Sequence, residues 1–374
     1  MRVLVTGGAG FIGSHTAEAL LASGHAVRIL DGLMPPVHPR RVKPWIPPGA
    51  QFLRGDVRKR RDWEAALEGV DAVYHFAAYQ DYLLDFGTFF HVNVVGTALL
   101  YEVAVRRRLP LRKVVVASSQ AVYGEGRYRC VEHGACFPDI RSRARLDRGE
   151  WEVPCPQCGG AMVSEPTDET FVNPQNQYAL SKHAQESLAL RLGHQYEIPT
   201  VALRYSIVQG PRQSFYNAYS GACRIFCLAV HHGRRPVVYE DGRQVRDFVN
   251  IRDAVRAGLL VLDRPEADGQ AFNVGGGVPY TIMDFAHTVI KAFGADMEPE
   301  VTGEYRFGDT RHICSDIRRL RALGWEPTES PEQSVAEYVA WLRTFPRVPD
   351  VLAQAARRMR RTAVLRRVAD RSTA

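Results

Sequence analysis

A tyrosine and a lysine four residues apart are the first side chains in this sequence whose types and spacing could do chemistry. In Tyr178-Ala179-Leu180-Ser181-Lys182 the spacing puts a phenol and an ammonium group on the same face of a helix. The ammonium favours the phenolate and lowers the pKa of the tyrosine from its ordinary value of about 10. A tyrosinate can take a proton from a hydroxyl group, and Ser119, at the end of an earlier strand, can hydrogen-bond the same oxygen. Alone, such a pair is more often an exposed polar face, so the prediction depends on the elements around it.

The first of those elements is a strand that enters a glycine turn and continues into a helix. The apolar run Val3–Val5 precedes Gly7, which permits a tight turn, Gly10, which lets the backbone approach a pyrophosphate, and Gly13, which allows the helix to pack on its strand. A second strand ends in Asp31, whose carboxylate can accept hydrogen bonds from a ribose diol and would repel a 2′-phosphate. The ordered pattern predicts a dinucleotide site that prefers NAD to NADP.

Later strand ends would border the same site. Asp56, in Gly55-Asp56-Val57, is placed to meet an adenine amine, and Phe76-Ala77-Ala78 follow a strand where small residues let a cofactor lie close. The regular alternation of strands and helices in the first half predicts an α/β fold with a doubly wound parallel sheet of the Rossmann type. We expect a cofactor domain over 1–205, a smaller α/β substrate domain over 206–345 interleaved with it, and a basic tail over 346–374.

Composition excludes several classes of protein. The 374 residues are 45% hydrophobic, and no signal peptide or apolar run of membrane-spanning length is apparent, so we expect a globular protein of the cytoplasm. The net charge of +7 is concentrated in the stretch from 352 to 374, which holds seven arginines against one acid. The rest of the chain is nearly neutral, so no nucleic-acid partner is expected. Without a secretion signal the seven cysteines should be reduced thiols.

The basic tail itself has two interpretations. The simpler one is a frayed, solvated segment. In the other, Ala355, Met359, Val364 and Val368 form the apolar stripe of a basic amphipathic helix that touches an anionic membrane surface or a partner.

Four of the cysteines lie close together in the sequence and predict a metal site. Two turns space their ligands by two residues and follow the second with glycine: Cys130 with His133, and Cys155 with Cys158. Their separation is typical of a tetrahedral zinc ribbon, and with no ligand position open the zinc would be structural. Cys136 is the rival of His133 for the fourth position, and a loop with incidental thiols is the alternative to the whole site. We expect a zinc-ribbon-like insertion over 127–164.

The sequence resembles the extended short-chain dehydrogenase/reductases, specifically their NAD-dependent nucleotide-sugar epimerase and dehydratase branch. The resemblance extends from Met1 to about residue 345 and excludes the insertion and the tail. The matching motifs are Thr6-Gly7-Gly8-Ala9-Gly10-Phe11-Ile12-Gly13, Gly55-Asp56-Val57, His75-Phe76-Ala77-Ala78, Asn93-Val94-Val95-Gly96-Thr97, Ser118-Ser119-Gln120-Ala121-Val122-Tyr123-Gly124, Tyr178 with Lys182, Arg246-Asp247-Phe248-Val249, Asn273-Val274-Gly275-Gly276-Gly277 and Gly308-Asp309-Thr310-Arg311.

The resemblance implies roles for particular residues. Ser119, Tyr178 and Lys182 would form the catalytic triad, with Lys182 also holding the nicotinamide ribose. Ser119 and Gln120 would contact the substrate, and Arg246 and Arg311 would meet its diphosphate. The family also implies a homodimer built from the helices near 92–107 and 177–196. The residues implied to hold NAD are Gly7, Gly10, Phe11, Ile12, Gly13, Asp31, Asp56, Val57, Phe76, Ala77, Ala78, Asn93, Tyr178 and Lys182.

One departure from the family pattern narrows the expected reaction. In the family's 4,6-dehydratases an Asp-Glu pair follows the catalytic hydroxyl, whereas this chain has Gln120-Ala121, which cannot do acid–base work. What remains is oxidation at C4 of the sugar and re-reduction from the other face, with a tightly bound NAD regenerated in every turnover. The expected substrate is a dTDP- or UDP-linked sugar, first a dTDP-6-deoxyhexose such as dTDP-L-rhamnose. The alternatives are an NAD(P)-dependent reductase of a nucleotide 4-keto-sugar and a non-catalytic NAD-sensing or RNA-binding protein.

Overall fold

Strands and helices alternate along the computed structural model, which describes residues 1–39, 43–81, 84–217 and 221–368. The strands in these ranges are β1 Arg2–Thr6, β2 Ala26–Asp31, β3 Gln51–Arg54, β4 Ala72–His75, β5 Lys113–Ser119, β6 Arg127–Cys130, β7 Gly134–Cys136, β8 Met162–Glu165, β9 Thr200–Tyr205, β10 Ile207–Gln209, β11 Val237–Val238, β12 Val245–Asn250, β13 Ala271–Val274, β14 Pro279–Thr281, β15 Glu300–Val301, β16 Glu304–Arg306 and β17 Leu365–Arg367. The helices are α1 Phe11–Ala22, α2 Arg60–Ala66, α3 Phe86–Phe90, α4 Gly96–Arg106, α5 Arg143–Asp147, α6 Gln177–Gln195, α7 Ala222–His231, α8 Ile251–Leu262, α9 Ile282–Phe293, α10 Arg318–Ala322, α11 Pro331–Leu342 and α12 Leu352–Arg361.

A seven-stranded sheet, all of whose pairings are parallel, forms the centre of the first half. Its order is β13-β9-β5-β4-β1-β2-β3. Helices cover both faces, so strand residues such as Val3, Val5 and Val115 are fully buried. The sequence prediction of a Rossmann-type doubly wound sheet is confirmed.

The position of β1 in this sheet determines where a ligand can bind. Strand β1 lies between β2 and β4. The chain continues from β1 through β2 to β3 on one side and then crosses back to β4 on the other side. Such a switch point opens a crevice beyond the carboxyl ends of the strands. The glycine turn after β1, Phe76-Ala77-Ala78 after β4 and Ser119 at the end of β5 all lie at this edge.

The second half of the chain builds a smaller unit beside that edge. Strands β10, β12 and β14 form a three-stranded sheet, and α7, α9 and α11 pack around a core that includes Phe226, Phe285 and Tyr338. Strand β13 returns to the large sheet and pairs with β9. The unit therefore flanks the crevice while its chain also completes the first sheet.

The inserted segment forms a separate antiparallel sheet of β6, β7 and β8, with α5 between β7 and β8. It packs against the segment around β16: the Tyr305 hydroxyl donates to Asp147, and the Trp151 ring lies 6.0 Å from that of Tyr305. The insertion thus contacts the substrate-side unit as well as the end of β5, from which it leaves.

The basic tail is folded onto the body as far as it is described. Ala355 and Met359 are buried on α12, but the helix ends at Arg361, and β17 then pairs antiparallel with β16. Val364 and Val368 therefore do not belong to one helical stripe. The expectation of a frayed, solvated segment is wrong for residues 352–368, because apolar packing and strand pairing hold them. The expected segment also includes 369–374, which lie outside the described residues.

One helical stretch is apolar enough to be compared with a membrane span. Phe86–Arg106, which joins α3 and α4 through a π-helical turn at His91–Val95, could span a membrane by length and composition, with a mean hydropathy of 1.4. It contacts α6 and α2, and 44% of its most apolar window is buried inside the fold. These contacts are those of a core helix.

Candidate active site

A cavity of about 820 Å³ occupies the crevice at the carboxyl edge of the large sheet. At one end it is lined by the glycine turn, Asp31 and Asp56, and in the middle by Ser119, Tyr178 and Lys182. The other end is lined by side chains of the second unit and of the tail, including Arg246, Arg306, Tyr239, Ala355, Met359 and Leu365. The cavity therefore connects the predicted cofactor site, the predicted acid–base centre and a basic region.

The glycine turn leaves no room for side chains. A Cβ on Gly7, whose φ is +67°, would lie 2.8 Å from the amide nitrogen of Ala77, and one on Gly13 would lie 2.3 Å from the carbonyl oxygen of Gly7. The backbone is thus packed closely between β1, β4 and the start of α1, with the first turn of that helix facing the cavity. Such a turn at a helix N-terminus is the arrangement that accepts a dinucleotide pyrophosphate.

Asp31 stands where a ribose diol would lie. Its two carboxylate oxygens accept hydrogen bonds from the backbone N–H groups of Ala9, at 3.1 Å, and Leu33, at 2.8 Å. These contacts fix the carboxylate at the cavity wall and join the glycine turn to the loop after β2. Together with the turn they fit NAD.

Most residues predicted to hold NAD line this cavity. They are Gly7, Gly10, Phe11, Ile12, Gly13, Asp31, Asp56, Val57, Phe76, Ala77, Ala78, Tyr178 and Lys182. Asn93 does not: it is fully buried, and its side-chain amide bonds both the N–H and the carbonyl of Tyr79 and the hydroxyl of Ser181. Asn93 holds the loop after β4 against α6, so this geometry gives its predicted cofactor contact no support.

The acid–base residues come from two neighbouring elements. Ser119 ends β5, and its hydroxyl accepts a hydrogen bond from the Ala121 N–H at 3.2 Å. Tyr178 and Lys182 lie one turn apart on α6, which begins at the Asn176 cap and packs on β5 and β9. The structure brings all three to the same cavity wall.

Lys182 lies at the end of a buried polar network that the sequence analysis did not identify. Burial lowers the pKa of Lys182 to about 7, against an opposing effect of Glu186. Its ammonium donates to the Gln185 side-chain oxygen at 2.7 Å, and the Gln185 amide donates to Thr97, which also bonds His75 at 2.9 Å. Gln185 lies three residues after Lys182, so helical spacing was a signal for this contact.

Gln120 contributes a buried polar atom beside the triad. It lines the cavity beside Ser119, and its buried side-chain oxygen has no hydrogen-bond partner among the described residues. A buried acceptor without a partner is costly, so a bound molecule that donates to it would be stabilised.

Several arginines line the cavity, and two of them, Arg246 and Arg306, bond the loop around residue 310. Arg246 donates to the carbonyl oxygens of Arg311, at 3.0 Å, and Thr310, at 2.8 Å, and Arg306 donates to Asp309 at 2.8 Å. Arg306 was missed by the sequence analysis, although it stands two residues before the Gly308-Asp309 motif that was recognised. Forked guanidinium groups in this position suit a diphosphate.

Arg311, implied to be the second diphosphate ligand, points elsewhere. Its side chain is fully buried and bonds Glu152, Glu240 and Asp241, and it is not among the cavity-lining residues. With its guanidinium enclosed by three carboxylates, Arg311 holds protein segments together. The geometry assigns the position facing the cavity to Arg306 instead.

The four predicted metal ligands meet in the insertion. The Nδ1 atom of His133 lies 3.6 Å from the Sγ atoms of both Cys130 and Cys155, and Cys130 Sγ lies 3.8 Å from Cys158 Sγ. All four ligand atoms lie within 4.8 Å of one another. A tetrahedral zinc ion has S···S distances of about 3.8 Å and S···N distances of about 3.5 Å, given its usual bond lengths. Cys136 lies outside this set, with its sulfur 3.2 Å from that of Met162.

Comparison with known proteins agrees with this arrangement of turn, triad and cavity. The model of a family described as "NAD dependent epimerase/dehydratase family" matches residues 3–136 and 156–275. The dTDP-L-rhamnose 4-epimerase of Burkholderia thailandensis is 33% identical over 348 residues, which cover 91% of this chain and 94% of that protein. The chain belongs to the NAD-dependent epimerase/dehydratase family. The sequence predictions of an extended short-chain dehydrogenase/reductase and of an enzyme of the isomerase type are confirmed.

Solved structures of family members share the fold over nearly their whole length. The UDP-glucose 4-epimerase of Thermotoga maritima, solved with UDP-glucose, has a TM-score of 0.75 and 26% identity, covering 92% of this chain and 99% of that one. The UDP-glucose 4-epimerase of Thermus thermophilus, solved with NAD, has a TM-score of 0.72 and 30% identity over the same shares. The NAD bound in the Thermus structure agrees with the dinucleotide cradle formed here by the glycine turn and Asp31.

Proposed function

We propose that this protein is an NAD-dependent 4-epimerase of a nucleotide sugar, and that the sugar is a dTDP-linked 6-deoxyhexose such as dTDP-L-rhamnose. The observation that carries the proposal is the continuous cavity, in which Ser119, Tyr178 and Lys182 stand between the dinucleotide cradle and the arginine-lined end. A sugar at the triad would direct its diphosphate toward Arg246 and Arg306. Its base would then lie toward Tyr239 and the tail.

The triad supplies the proton chemistry. Tyr178, as the phenolate, takes the proton of the C4 hydroxyl, and the Ser119 hydroxyl bonds the same oxygen as it becomes a ketone. NAD, which the glycine turn and Asp31 would hold, would supply hydride chemistry at C4, so that the hydrogen could leave one face with its electron pair and return to the other after the sugar has turned. Tyr178 then gives the proton back to the C4 oxygen. Lys182, held by Gln185, places its charge near the phenolate and the nicotinamide ribose.

Because each turnover returns both proton and hydrogen to the sugar, the reaction is a net isomerisation. Elimination of water would require a further acid and base beside Ser119. The side chains present there are the amide of Gln120 and the methyl of Ala121, and neither exchanges a proton.

The choice of dTDP-L-rhamnose is supported by the Burkholderia relative, which is 33% identical over most of both chains. A UDP-sugar is the alternative within the same chemistry, since the Thermotoga and Thermus relatives are UDP-glucose 4-epimerases.

The proposal includes a structural zinc ion held by Cys130, His133, Cys155 and Cys158. The interatomic distances and the chemistry of three thiols with one imidazole support it. Four protein ligands leave no position for a substrate, so the ion would stabilise the insertion rather than take part in the reaction. The thiols of such a site must stay reduced. This agrees with the reducing conditions of the cytoplasm, where we place the enzyme.

The proposal further includes a homodimer through α3–α4 and α6. Apolar side chains are exposed along these adjacent helices among the described residues: Leu84, Phe86, Phe90, Val95 and Leu180. A second copy of the same surface would cover them, which fits a two-fold interface. Equilibrium sedimentation of the full chain measures this state directly.

The decisive experiment uses the purified protein without added cofactor. It is incubated with dTDP-L-rhamnose and, separately, with UDP-glucose, and the C4 configuration is followed by proton NMR. We expect the C4 epimer to form from dTDP-L-rhamnose with no net change in nicotinamide absorbance. Turnover only with added NAD(P)H and a 4-keto-sugar would instead identify a reductase. NAD retained without any turnover would indicate a binding protein.

A further inference from the structure

The insertion contributes one deeply buried arginine to the rest of the molecule. The Arg141 side chain is 1% exposed, and each of its five N–H donors has an acceptor. Nε donates to Glu125 at 3.1 Å, the two terminal nitrogens donate to the two oxygens of Glu240 at 3.0 and 2.9 Å, and they also reach the carbonyls of Trp151, at 2.9 Å, and Asp309, at 2.8 Å. An arginine whose donors are all used is fixed in one position.

The partners of Arg141 lie on three segments that are distant in sequence. Glu125 follows the turn after Ser119, Glu240 follows β11, and Asp309 lies in the loop after β16. Arg311 continues the network, because it shares Glu240 and also bonds Glu152 of the insertion at 2.6 Å. The insertion therefore holds the loop around residue 310 from two sides.

That loop positions the basic wall of the cavity. The carbonyls of Thr310 and Arg311 accept the guanidinium of Arg246, and the carboxylate of Asp309 accepts that of Arg306. Hydrogen bonds thus lead from Arg141, through the loop at 309–311, to Arg246 and Arg306, which both line the cavity. A displacement of the insertion would displace the groups that meet the diphosphate.

The candidate metal ligands lie on both sides of the segment that carries Arg141. Cys130 and His133 precede the segment that carries Arg141, and Cys155 and Cys158 follow it, so a bound ion closes that segment into a loop. The segment 137–155, which includes Arg141 and Glu152, also lies outside the match to the family model. Closing a loop by metal reduces the freedom of the residues within it.

We propose that the metal-held insertion sets the affinity for the nucleoside diphosphate, with Arg141 as the positioning residue that joins the metal module to Arg246 and Arg306. This inference rests on the proposed metal site and on the proposed substrate class. It assigns to the insertion a function in substrate binding, separate from the proton chemistry at Tyr178. The triad should therefore work at an unchanged rate once substrate is bound.

The test measures binding of UDP and of dTDP by calorimetry, using full-length protein loaded with NAD. Wild type is compared with Arg141→Lys, which keeps the charge but loses the fork, and with Cys158→Ser, which removes an exposed ligand. Arg148→Met is the matched control, since Arg148 lies in the same insertion and pairs with Glu150 at the surface. Zinc content is measured by mass spectrometry, and KM and kcat by the NMR assay.

We expect both test variants to bind the diphosphates at least about tenfold more weakly and to raise KM by a similar factor. Their kcat and NAD content should stay within about twofold of wild type, and Arg148→Met should match wild type. If Arg141→Lys does not fold, the diphosphate affinity of Cys158→Ser alone tests the proposal. Unchanged diphosphate binding after loss of zinc, or in Arg141→Lys, would overturn the proposal. If wild-type protein holds zinc but binds neither UDP nor dTDP, the proposed substrate class is wrong, and this inference is wrong with it.

Discussion

The two ends of the cavity are built in different ways. The cofactor end has a local centre: β1, the glycine turn, α1 and β2 supply the turn and Asp31 within the first 31 residues. The substrate end is assembled from β11, β12, the segment around β16 and the tail, and buried arginine–carboxylate pairs join it to the insertion. A local motif can be recognised from spacing, whereas a wall built from distant segments depends on pairings that spacing does not encode.

The largest loss of activity is expected from a change in the triad, which both ends of the cavity serve. Tyr178→Phe removes the hydroxyl that carries the proton, so kcat should fall by about 10² to 10⁴-fold while NAD stays bound. The NMR assay measures the rate, and the absorbance of released nicotinamide measures the cofactor. Tyr196→Phe is the control, because Tyr196 is exposed at the end of the same helix. Activity that survives in Tyr178→Phe would remove the triad from the mechanism.

The next effect belongs to the cofactor end. In Gly13→Ala the new Cβ would lie 2.3 Å from the Gly7 carbonyl oxygen, which is too close for the turn to keep its shape. We expect NAD affinity to fall by about 100-fold or more, so that the protein is purified without cofactor. Gly87→Ala is the matched control, since no atom of the described residues lies within 4 Å of a Cβ there. Full NAD content in Gly13→Ala would show that the cradle is not the binding site.

A smaller effect is expected at the substrate end from removal of the tail. Deleting residues from Leu352 onward removes the helix that presents Ala355, Met359 and Arg360 to the cavity, together with β17. KM should rise about tenfold, because contacts to the substrate are lost, while NAD content stays unchanged. A shorter deletion, from residue 369, leaves α12 and β17 intact and should behave as wild type. An unchanged KM in the longer deletion would contradict a role for the tail in the wall.

The smallest effect concerns the choice of cofactor. Asp31→Asn removes the negative charge that would repel a 2′-phosphate, so the ratio of NADP to NAD affinity should rise by about five- to tenfold. Chromatography of nucleotides released from protein incubated with both measures that ratio. Asp56→Asn is the comparison, because Asp56 is already paired with Arg58 at 2.6 Å. A ratio that does not change would mean that selectivity resides elsewhere in the loop.

The same contrast explains what the sequence could predict. Some residues could be predicted from their neighbours in the sequence, and these do line the cavity: Gly7, Gly13, Asp31 and the Tyr178–Lys182 pair. The metal-ligand set was likewise predicted from two short turns, and its atoms converge in the structure.

Predictions failed where partners were remote in sequence. Arg311 was expected to be a diphosphate ligand because the family motif that contains it implies that role, but it bonds three carboxylates from two other segments. Asn93 was expected to contact NAD, but its side chain bonds Tyr79 and Ser181 instead. The simpler interpretation of the tail was a solvated segment, yet a few buried side chains and the pairing of β17 with β16 hold residues 352–368 on the body.

The pairing of β17 with β16 also has a consequence for synthesis. A ribosome delivers the chain from its N-terminus, and domains begin to fold as they emerge. The strands that border the glycine turn are complete by Tyr205, long before Leu365 is made. The part of the cavity wall that α12 and β17 supply is therefore finished only when translation reaches the last strand.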